Sequence, residues 1–255
     1  MTKLPAVAVM AKVPGATAVK SRLHPLLGAS LATRLYDCFL RDRLDALATV
    51  SGVDRVVAFT PPEARDRMAQ VAPPGFTLVP QRGMDLGARL HALLADLLDA
   101  GYPGAIAIDS DSPTLPMRYV AEAAQALTTR DAEVVVGPCD DGGYYLIGLR
   151  RPHGELFEGI PWSTDRVLPL TLERARHHGL RTRVLPAWFD IDTETDLVRL
   201  ESALAAQSMG PRRTMALIRE MTDRGVLASL RASAPSEKLA GENRDHVTEI
   251  RPRPV

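Results

Sequence analysis

Short apolar runs alternate with longer amphipathic segments along most of this 255-residue chain, which limits the folds open to it. The runs predict buried strands at residues 6–10, 53–59, 76–79, 105–108, 133–136 and 181–185. Helical spacing of apolar residues predicts helices at 30–50, 62–71, 86–100, 117–127, 168–178, 195–206 and about 213–224. Runs that are apolar throughout are typical of parallel strands covered on both faces. The alternation therefore predicts an α/β fold with a mostly parallel sheet and helices on both faces.

Two segments depart from this alternation. The pair Gly142-Gly143 precedes Tyr144 and an aromatic, β-favouring run, which predicts a turn into an antiparallel strand. From residue 232 onward Ser, Pro, Glu, Arg and Asn dominate, a composition typical of disordered chain. We therefore expect one domain over residues 1–225 and a C-terminal extension over 226–255, disordered from about 232.

Composition argues against several classes of function. The 31 basic residues balance the 31 acidic ones, so we expect neither nucleic acid nor an anionic membrane surface as a partner. No apolar run is long enough to span a membrane, and the chain is expected to be cytoplasmic. The two cysteines and six histidines lack the spacing of a zinc site. The sequence leaves the oligomeric state open.

Two acidic clusters, Asp109-Ser-Asp111 and Asp190-Ile-Asp192, each follow a short apolar run about eighty residues apart. Each is expected to place carboxylates at the C-terminal end of a buried strand, the edge where open α/β sheets bind ligands. Converging carboxylates there favour a hard divalent cation, and Mg²⁺ in such a crevice usually carries phosphate. The alternative is that both clusters are Asp-rich turns that cap helices.

A basic loop follows the first predicted strand and contains Lys12, Gly15, Lys20 and Arg22. A glycine-containing loop with three cations and free backbone amides suits a polyphosphate. The loop matches neither the P-loop nor the dinucleotide fingerprint, and a solvated basic loop is the alternative. Read with the acidic clusters, it predicts one site for a nucleotide and Mg²⁺.

Six motifs occur in order along the chain: Lys12-x-Pro-Gly with Val-Lys-Ser-Arg-Leu23, Gln81-x-Gly-x-Asp-Leu-Gly-x-Arg-Leu90, Asp109-Ser-Asp-x-Pro-x-Leu-Pro116, Gly137-Pro-x-x-Asp-Gly-Gly-Tyr-Tyr-Leu-Ile-Gly148, Trp162-Ser-Thr164 and Asp190-x-Asp-Thr-x-x-Asp-Leu197. Together they resemble the DUF2064 family, which is often labelled glycosyltransferase and is associated with radical-SAM or arsenosugar gene neighbourhoods. The resemblance covers roughly residues 5–225. It implies the GT-A fold, a single Rossmann-like domain shared by nucleotide-sugar transferases and nucleotidyltransferases.

More distantly, the chain is similar to guanylyltransferases that activate phospholactate or phosphoenolpyruvate in deazaflavin-cofactor synthesis. Their basic Lys-Thr-Arg-Leu corresponds to Lys20-Ser-Arg22-Leu, and their central metal-binding Asp corresponds to Asp111. Their late Asp-x-Asp-Thr-Pro corresponds to the cluster at 190–194, with Glu194 in place of proline. The segment 138–148 differs, so the resemblance does not identify the acceptor.

The first interpretation of this resemblance is a nucleotidyltransferase, in which a phosphate, phosphonate or carboxylate acceptor attacks the α-phosphate of a nucleoside triphosphate. The outer phosphates would contact Lys12, Lys20 and Arg22, and Mg²⁺ or Mn²⁺ would bind Asp111, Asp190 and Asp192. Lys20, Arg22 and Asp111 are the predicted catalytic residues. An acceptor that is already anionic needs no strong base.

The second interpretation is a glycosyltransferase, in which Asp109-Ser-Asp111 is a DxD motif that links the metal to the diphosphate of a nucleotide sugar. A sugar hydroxyl would then need a base, and Asp141 or Asp192 could serve. The basic loop and the second acidic cluster favour nucleotidyl transfer. A non-catalytic nucleotide-binding protein is the third possibility.

Three further segments are predicted to line this site. Gln81, Arg82 and Gly83 are expected on the nucleotide side, with an ordinary turn as the alternative. The small-molecule acceptor is expected at Asp141, Gly142, Gly143, Tyr144, Ser163 and Thr164. The alternatives there are a hairpin turn at 141–144 and a helix cap at 162–164.

Overall fold

The computed structural model describes residues 3–206 and 210–227. The strands are β1 Ala6–Lys12, β2 Asp54–Thr60, β3 Phe76–Pro80, β4 Ala105–Ile108, β5 Val134–Pro138, β6 Tyr144–Leu149 and β7 Thr182–Val184. The helices are α1 His24–Ala48, α2 Arg65–Val71, α3 Leu86–Asp99, α4 Met117–Thr128, α5 Val167–His177, α6 Glu194–Ala205 and α7 Arg212–Asp223.

The strands of this part of the chain form one mixed sheet in the order β3-β2-β1-β4-β6-β5-β7. The pairs β1–β2, β1–β4, β2–β3 and β5–β7 are parallel. Only β6 runs antiparallel to its neighbours β4 and β5, because the tight turn at 139–143 returns the chain beside β5. The structure thus confirms the mostly parallel sheet and the antiparallel strand after the glycine pair.

The core lies on both faces of this sheet. In β1, Val7 and Val9 pack into the cluster on one face, while Ala6 and Ala8 pack into the cluster on the other. Successive residues of this strand point to opposite faces of the sheet, and both faces are covered. The strand must therefore be apolar throughout, which is the pattern that the sequence shows. A third cluster, which includes the buried Phe39, joins α1 to α6 and α7.

Two predicted boundaries were wrong in ways that matter for the site. The first helix begins at His24 rather than at residue 30, and Gly28 interrupts it with a left-handed φ of 69°. The second acidic cluster does not follow a strand directly, because β7 ends at Val184 and Asp190 lies six residues later. The intervening chain instead runs beside the end of β5, through a parallel bridge between Cys139 and Trp188.

The helices described here include none that is long and apolar enough to cross a bilayer. The cytoplasmic location stays a prediction. The predicted disorder from residue 232 lies outside the described residues, and the boundary between a domain at 1–225 and an extension also stays a prediction.

Candidate functional site

A cleft of about 390 Å³ opens at the C-terminal edge of the parallel strands. The ends of β1, β2 and β4 form its floor, and the first turn of α3 and the start of β6 form its walls. Side chains of opposite charge line it, among them Lys12, Lys20, Arg89, Asp109, Asp111 and Asp192. This is the edge at which α/β sheets of this kind bind their ligands.

Lys20 joins the two acidic clusters inside this cleft. Its Nζ lies 2.5 Å from Oδ1 of Asp111 and 2.9 Å from Oδ1 of Asp192, and its side chain is only 3% exposed. Burial opposes the charged ammonium, but the two carboxylates outweigh it and raise the pKa of Lys20. Lys20 also adopts a left-handed φ of 49°, an uncommon conformation for a residue with a side chain and one that marks functional sites.

The pKa of Asp192 is lowered, because the charge and hydrogen bond of Lys20 outweigh the effect of burial. The guanidinium of Arg22 adds a weaker ion pair, 3.7 Å from Oδ2 of Asp192, and is 66% exposed. Lys12 lines the cleft at the end of β1, and its backbone N–H donates to the Tyr36 hydroxyl. Three of the four predicted basic-loop positions therefore face the acidic clusters or the cleft.

Gly15 is the fourth position, and it lies away from the cleft. Its φ is 72°, and a Cβ there would come within 2.5 Å of the Arg67 guanidinium. The left-handed φ by itself favours glycine at this position, without a nucleotide. The predicted contact of Gly15 with nucleotide therefore finds no support in this geometry.

The first acidic cluster forms a tight turn directly after β4, which we call the Asp109–Ser112 turn. Asp109 accepts from Ser112 Oγ, and one of its oxygens lies 3.4 Å from Arg43 Nη2. Burial, opposed by Arg43, raises the pKa of Asp109 to about 6. Asp111 instead directs its carboxylate at Lys20, with 36% of the side chain exposed. The two aspartates of this cluster therefore have different surroundings.

The second acidic cluster is hydrogen-bonded to the first by the backbone. The Ile191 N–H donates to the Asp111 carbonyl at 3.1 Å. Burial and the neighbouring charges of Asp192, Asp141 and Asp109 raise the pKa of Asp190 to about 7. The cations of the protein therefore do not fully neutralise the negative charge around Asp190.

These carboxylates fit a divalent metal. Oxygens of Asp141 and Asp190 and the Cys139 sulfur lie within 4.8 Å of one another, and the Lys20 ammonium already contacts Asp111 and Asp192. Hard carboxylate oxygens are the ligands that Mg²⁺ and Mn²⁺ prefer, whereas a thiol is not. The structure thus brings Asp141 beside the predicted ligand Asp190, while the predicted ligands Asp111 and Asp192 meet at Lys20.

The residues predicted on the nucleotide side, 81–83, do not all point into the cleft. The Gln81 side chain lines the cleft and donates to the carbonyls of Ala11 and Ala58 at 3.2 and 2.7 Å. Arg82 instead points to α3, where its Nη2 lies 2.5 Å from the Asp96 carboxylate. Gly83 has a φ of 134°, and its carbonyl accepts from Arg89 Nε. Arg82 therefore does not line the cleft in this structure, and its nucleotide-binding role stays a prediction.

On the predicted acceptor side, Tyr144 and Ser163 line the cleft. Asp141 accepts from the Gly143 N–H at 2.9 Å, which closes the turn, and Gly142 has a φ of 88° and lies against the Asp165 backbone. These three residues thus build the turn that the alternative interpretation required, and of them only Asp141 also faces the acidic cluster.

The other predicted acceptor residue, Thr164, accepts from the Arg166 N–H at 3.3 Å and donates to the Pro161 carbonyl at 2.7 Å. These bonds belong to the turn before α5, whose N-cap residue is Arg166 and which has no side-chain cap hydrogen bond, so this helix is not capped by Thr164. Ser163 next to it has a left-handed φ of 65°, as Lys20 has.

Three residues of the site were not predicted from the sequence. Tyr36 and Arg43 lie on α1 and contact the Asp109–Ser112 turn, and Arg89 of α3 lines the cleft. The roles of Tyr36 and Arg43 could not be recognised from the neighbouring sequence, because a Tyr or Arg within an amphipathic helix is usually a packing residue. Arg89 lies in the motif that runs from Gln81 to Leu90, and that motif was the available signal.

Comparisons with known proteins place this geometry in a class. A solved structure from Desulfovibrio desulfuricans G20, assigned as a nucleotide-diphospho-sugar transferase, is 30% identical with a TM-score of 0.82 and covers 90% of this chain and 99% of that one. A cytidylyltransferase from Leptospira borgpetersenii serovar Hardjo-bovis is 14% identical, with a TM-score of 0.53 and coverage of 88% and 96%. The second likeness shows the fold alone.

The curated relative is the 3-phospho-D-glycerate guanylyltransferase of Phenylobacterium zucineum (strain HLK1). It is 29% identical over 220 residues, which are 83% of this chain and 95% of the relative. Together with the fold and the cleft, the Desulfovibrio and Phenylobacterium relatives define the protein as a nucleotide-dependent transferase, and therefore as an enzyme. The non-catalytic alternative is set aside.

The family model that matches is DUF2064, described as an uncharacterized protein family conserved in bacteria, over residues 43–164. The chain belongs to this family.

Proposed function

We propose that this enzyme is a Mg²⁺-dependent nucleotidyltransferase. It moves a nucleoside monophosphate from a nucleoside triphosphate to a small phosphorylated, phosphonate or carboxylate acceptor and releases pyrophosphate. The observation that carries the proposal is the position of Lys20, buried at the mouth of the cleft between Asp111 and Asp192. A cation and carboxylates held together in one cleft suit a magnesium triphosphate, which presents both charges.

The donor's phosphates would be held by Lys20 and Lys12, with Arg22 at the exposed rim. These cations would neutralise the pyrophosphate as it leaves. Carboxylates of Asp111, Asp190 and Asp192, with Asp141 beside them, would hold the metal ion, which supplies Lewis-acid charge at the reacting phosphate.

The chemical step forms a bond between an acceptor oxygen and the α-phosphorus. It breaks the bond from that phosphorus to the bridging oxygen of the β-phosphate, whose electron pair leaves with pyrophosphate. An anionic acceptor brings its own nucleophilic oxygen, so the protein's task is to orient it and to neutralise charge. Tyr144 and Ser163, which line the cleft, are the predicted acceptor contacts.

The relative from Phenylobacterium supplies the first substrates to test. We propose GTP as a donor candidate and a phosphorylated carboxylate, such as 3-phospho-D-glycerate, as an acceptor candidate, because the relative is named for that pair. The departure at 138–148 from the deazaflavin-pathway enzymes leaves the acceptor for this experiment to identify.

The test measures pyrophosphate release from GTP, ATP, CTP and UTP, each with phosphorylated, phosphonate and carboxylate acceptors, with Mg²⁺ and with EDTA. We expect Mg²⁺-dependent release with at least one pair and a nucleotidylated acceptor by mass spectrometry. Asp111→Asn protein is the matched control. Pyrophosphate release from no pair, together with release of a nucleoside diphosphate from a nucleotide sugar, would refute the proposal.

Glycosyl transfer is the second candidate, because the Desulfovibrio neighbour is assigned to nucleotide-diphospho-sugar transferases. It requires both aspartates of the DxD motif to serve the metal and diphosphate. Asp109 already binds Ser112 and Arg43, so only Asp111 of the pair turns its carboxylate to Lys20. That difference supports nucleotidyl transfer over glycosyl transfer.

A further inference from the structure

The four residues that carry the first acidic cluster are tied to α1 by two side chains on one face of that helix. The Tyr36 hydroxyl lies 3.0 Å from Ser110 Oγ and accepts the Lys12 N–H at 2.9 Å. Arg43, seven residues later, donates through Nη2 to the Ser112 carbonyl and lies 3.4 Å from Asp109. Positions seven apart are two helical turns apart and share a face. Both therefore reach the same turn.

Burial of this contact is nearly complete. Arg43 is 1% exposed and Tyr36 is 2% exposed, while Ser110 and Ser112 are 3% and 0% exposed. Within the Asp109–Ser112 turn the Asp111 side chain is the most exposed carboxylate and faces Lys20. One side of the turn is thus fixed by its contacts with α1. The Asp111 carboxylate, the proposed metal ligand, projects from the other side.

Stability alone does not account for Arg43. Its Nε and Nη1 are buried and find no hydrogen-bond partner among the described residues. Buried donors without partners cost free energy, and a buried ion pair is often no more stabilising than apolar side chains of the same size. A methionine would fill this position with less desolvation. The free-energy cost of burying the Arg43 guanidinium indicates a role that an apolar side chain cannot fill.

We propose that Tyr36 and Arg43 form a clamp on α1 that sets the position of Asp111 as a metal ligand, with Asp109 as the anchor for Arg43 rather than as a ligand itself. This inference rests on the proposed function, since it assumes that Asp111 binds the metal. Arg43 does not line the cleft, and Tyr36, which does, has its hydroxyl engaged by Ser110 and the Lys12 N–H. Both act through the Asp109–Ser112 turn and are positioning residues.

The test titrates purified full-length protein with Mn²⁺ and follows free Mn²⁺ by electron paramagnetic resonance. We expect Arg43→Met to raise the Mn²⁺ Kd at least tenfold and to raise the Mg²⁺ concentration for half-maximal turnover similarly. The KM for nucleoside triphosphate at saturating Mg²⁺ should change less than threefold. Arg43→Lys should lie between, because one ammonium cannot reach Asp109 and the Ser112 carbonyl with the geometry of a guanidinium.

The matched control is Arg34→Met, which removes another arginine of α1. Arg34 pairs with Glu220 at the surface, 2.6 Å away, and should leave the Mn²⁺ Kd unchanged. Should Arg43→Met not fold, Tyr36→Phe carries the same test, because it removes one hydroxyl and leaves no buried charge unpaired. We expect Tyr36→Phe to raise the Mn²⁺ Kd about threefold or more.

The outcomes separate the clamp from the proposed function. A wild-type Mn²⁺ Kd in a folded Arg43→Met or Tyr36→Phe protein would overturn the clamp alone. A wild-type protein that binds no Mn²⁺ with or without nucleotide would overturn the metal site, and the clamp with it. A double variant Arg43→Met/Asp109→Asn that regains melting temperature but not Mn²⁺ affinity would support positioning over stability.

Discussion

The two Asp-x-Asp clusters look alike in sequence, yet the structure holds them differently. The Asp109–Ser112 turn follows β4 directly and is backed by Tyr36 and Arg43 of α1. The Asp190–Asp192 segment comes six residues after β7 and leads into α6, where Thr193 and Asp196 form a capping box. One cluster is thus backed by side chains of α1, whereas the other combines local helix capping with the Lys20 ion pair and the Ile191 bond to the first cluster.

This difference teaches that a shared motif does not imply a shared role for each aspartate. In the first cluster both aspartates line the cleft, but Asp109 is bound by Arg43 and Ser112, whereas Asp111 contacts Lys20. In the second, Asp190 lies near Asp141, and Asp192 pairs with Lys20. Lys20 is where the two clusters meet, since its ammonium contacts one carboxylate from each.

The largest expected effect separates the two aspartates of the first cluster. Asp111→Asn should lower Mg²⁺-dependent turnover by more than about 100-fold, because a proposed metal ligand is worth several kcal/mol in the transition state. The amide nearly matches the carboxylate in size, so the fold should persist. Steady-state kinetics with circular dichroism check this. A near-normal rate would mean that Asp111 is not a metal ligand.

Lys20→Ala should have the next largest effect and should act on both clusters at once. It removes the cation between Asp111 and Asp192 and the proposed contact to the triphosphate. We expect nucleoside triphosphate to bind about 10- to 100-fold more weakly, and the acceptor to be affected less, since one charge-assisted contact is worth roughly 1.5–3 kcal/mol. Calorimetric titration with each ligand checks this. Equal losses for both would contradict the assignment.

Asp109→Asn is expected to have a smaller effect and tests the asymmetry directly. If Asp109 anchors Arg43, turnover should fall by no more than about tenfold, or roughly 1.4 kcal/mol, because the amide oxygen still accepts from Ser112. The measurement is kcat at saturating Mg²⁺ beside that of Asp111→Asn. A loss as deep as that of Asp111→Asn would restore the DxD interpretation.

The smallest effect is expected at the cap of α6. Thr193→Ala removes the hydroxyl that accepts the Asp196 N–H at 3.3 Å and donates to the Asp196 carboxylate at 2.8 Å. We expect the free energy of unfolding to fall by about 1 kcal/mol, the usual cost of losing such a cap. Urea denaturation measures this. The Mn²⁺ affinity should fall with it only if local capping also positions Asp192.

Much of the fold was predictable because its signals are local. Strands buried on both faces must be apolar throughout, and helices packed on a sheet show helical periodicity, so Ala105–Ile108 and the helix at Met117–Thr128 were placed within a residue. The start of α1 was misplaced, since Gly28 interrupts the helix and hides its first turn. The metal-ligand roles of Asp111, Asp190 and Asp192 stay predictions, and the contacts of the Asp109–Ser112 turn with Tyr36 and Arg43 were missed because those partners come from a distant helix.

The sequence by itself determined the alternation of strands and helices, the antiparallel strand after Gly142-Gly143, and the residue types that meet at one edge of the sheet. Only the tertiary structure decided which partner each of those residues contacts. Arg82 pairs with Asp96, Gly15 packs on Arg67, and Asp109 binds Arg43. The reason is physical: periodicity and turn chemistry act over a few residues, whereas a side chain's partner is chosen by packing between distant elements. The contact of Lys20 with Asp192, which are 172 residues apart, is of that second kind.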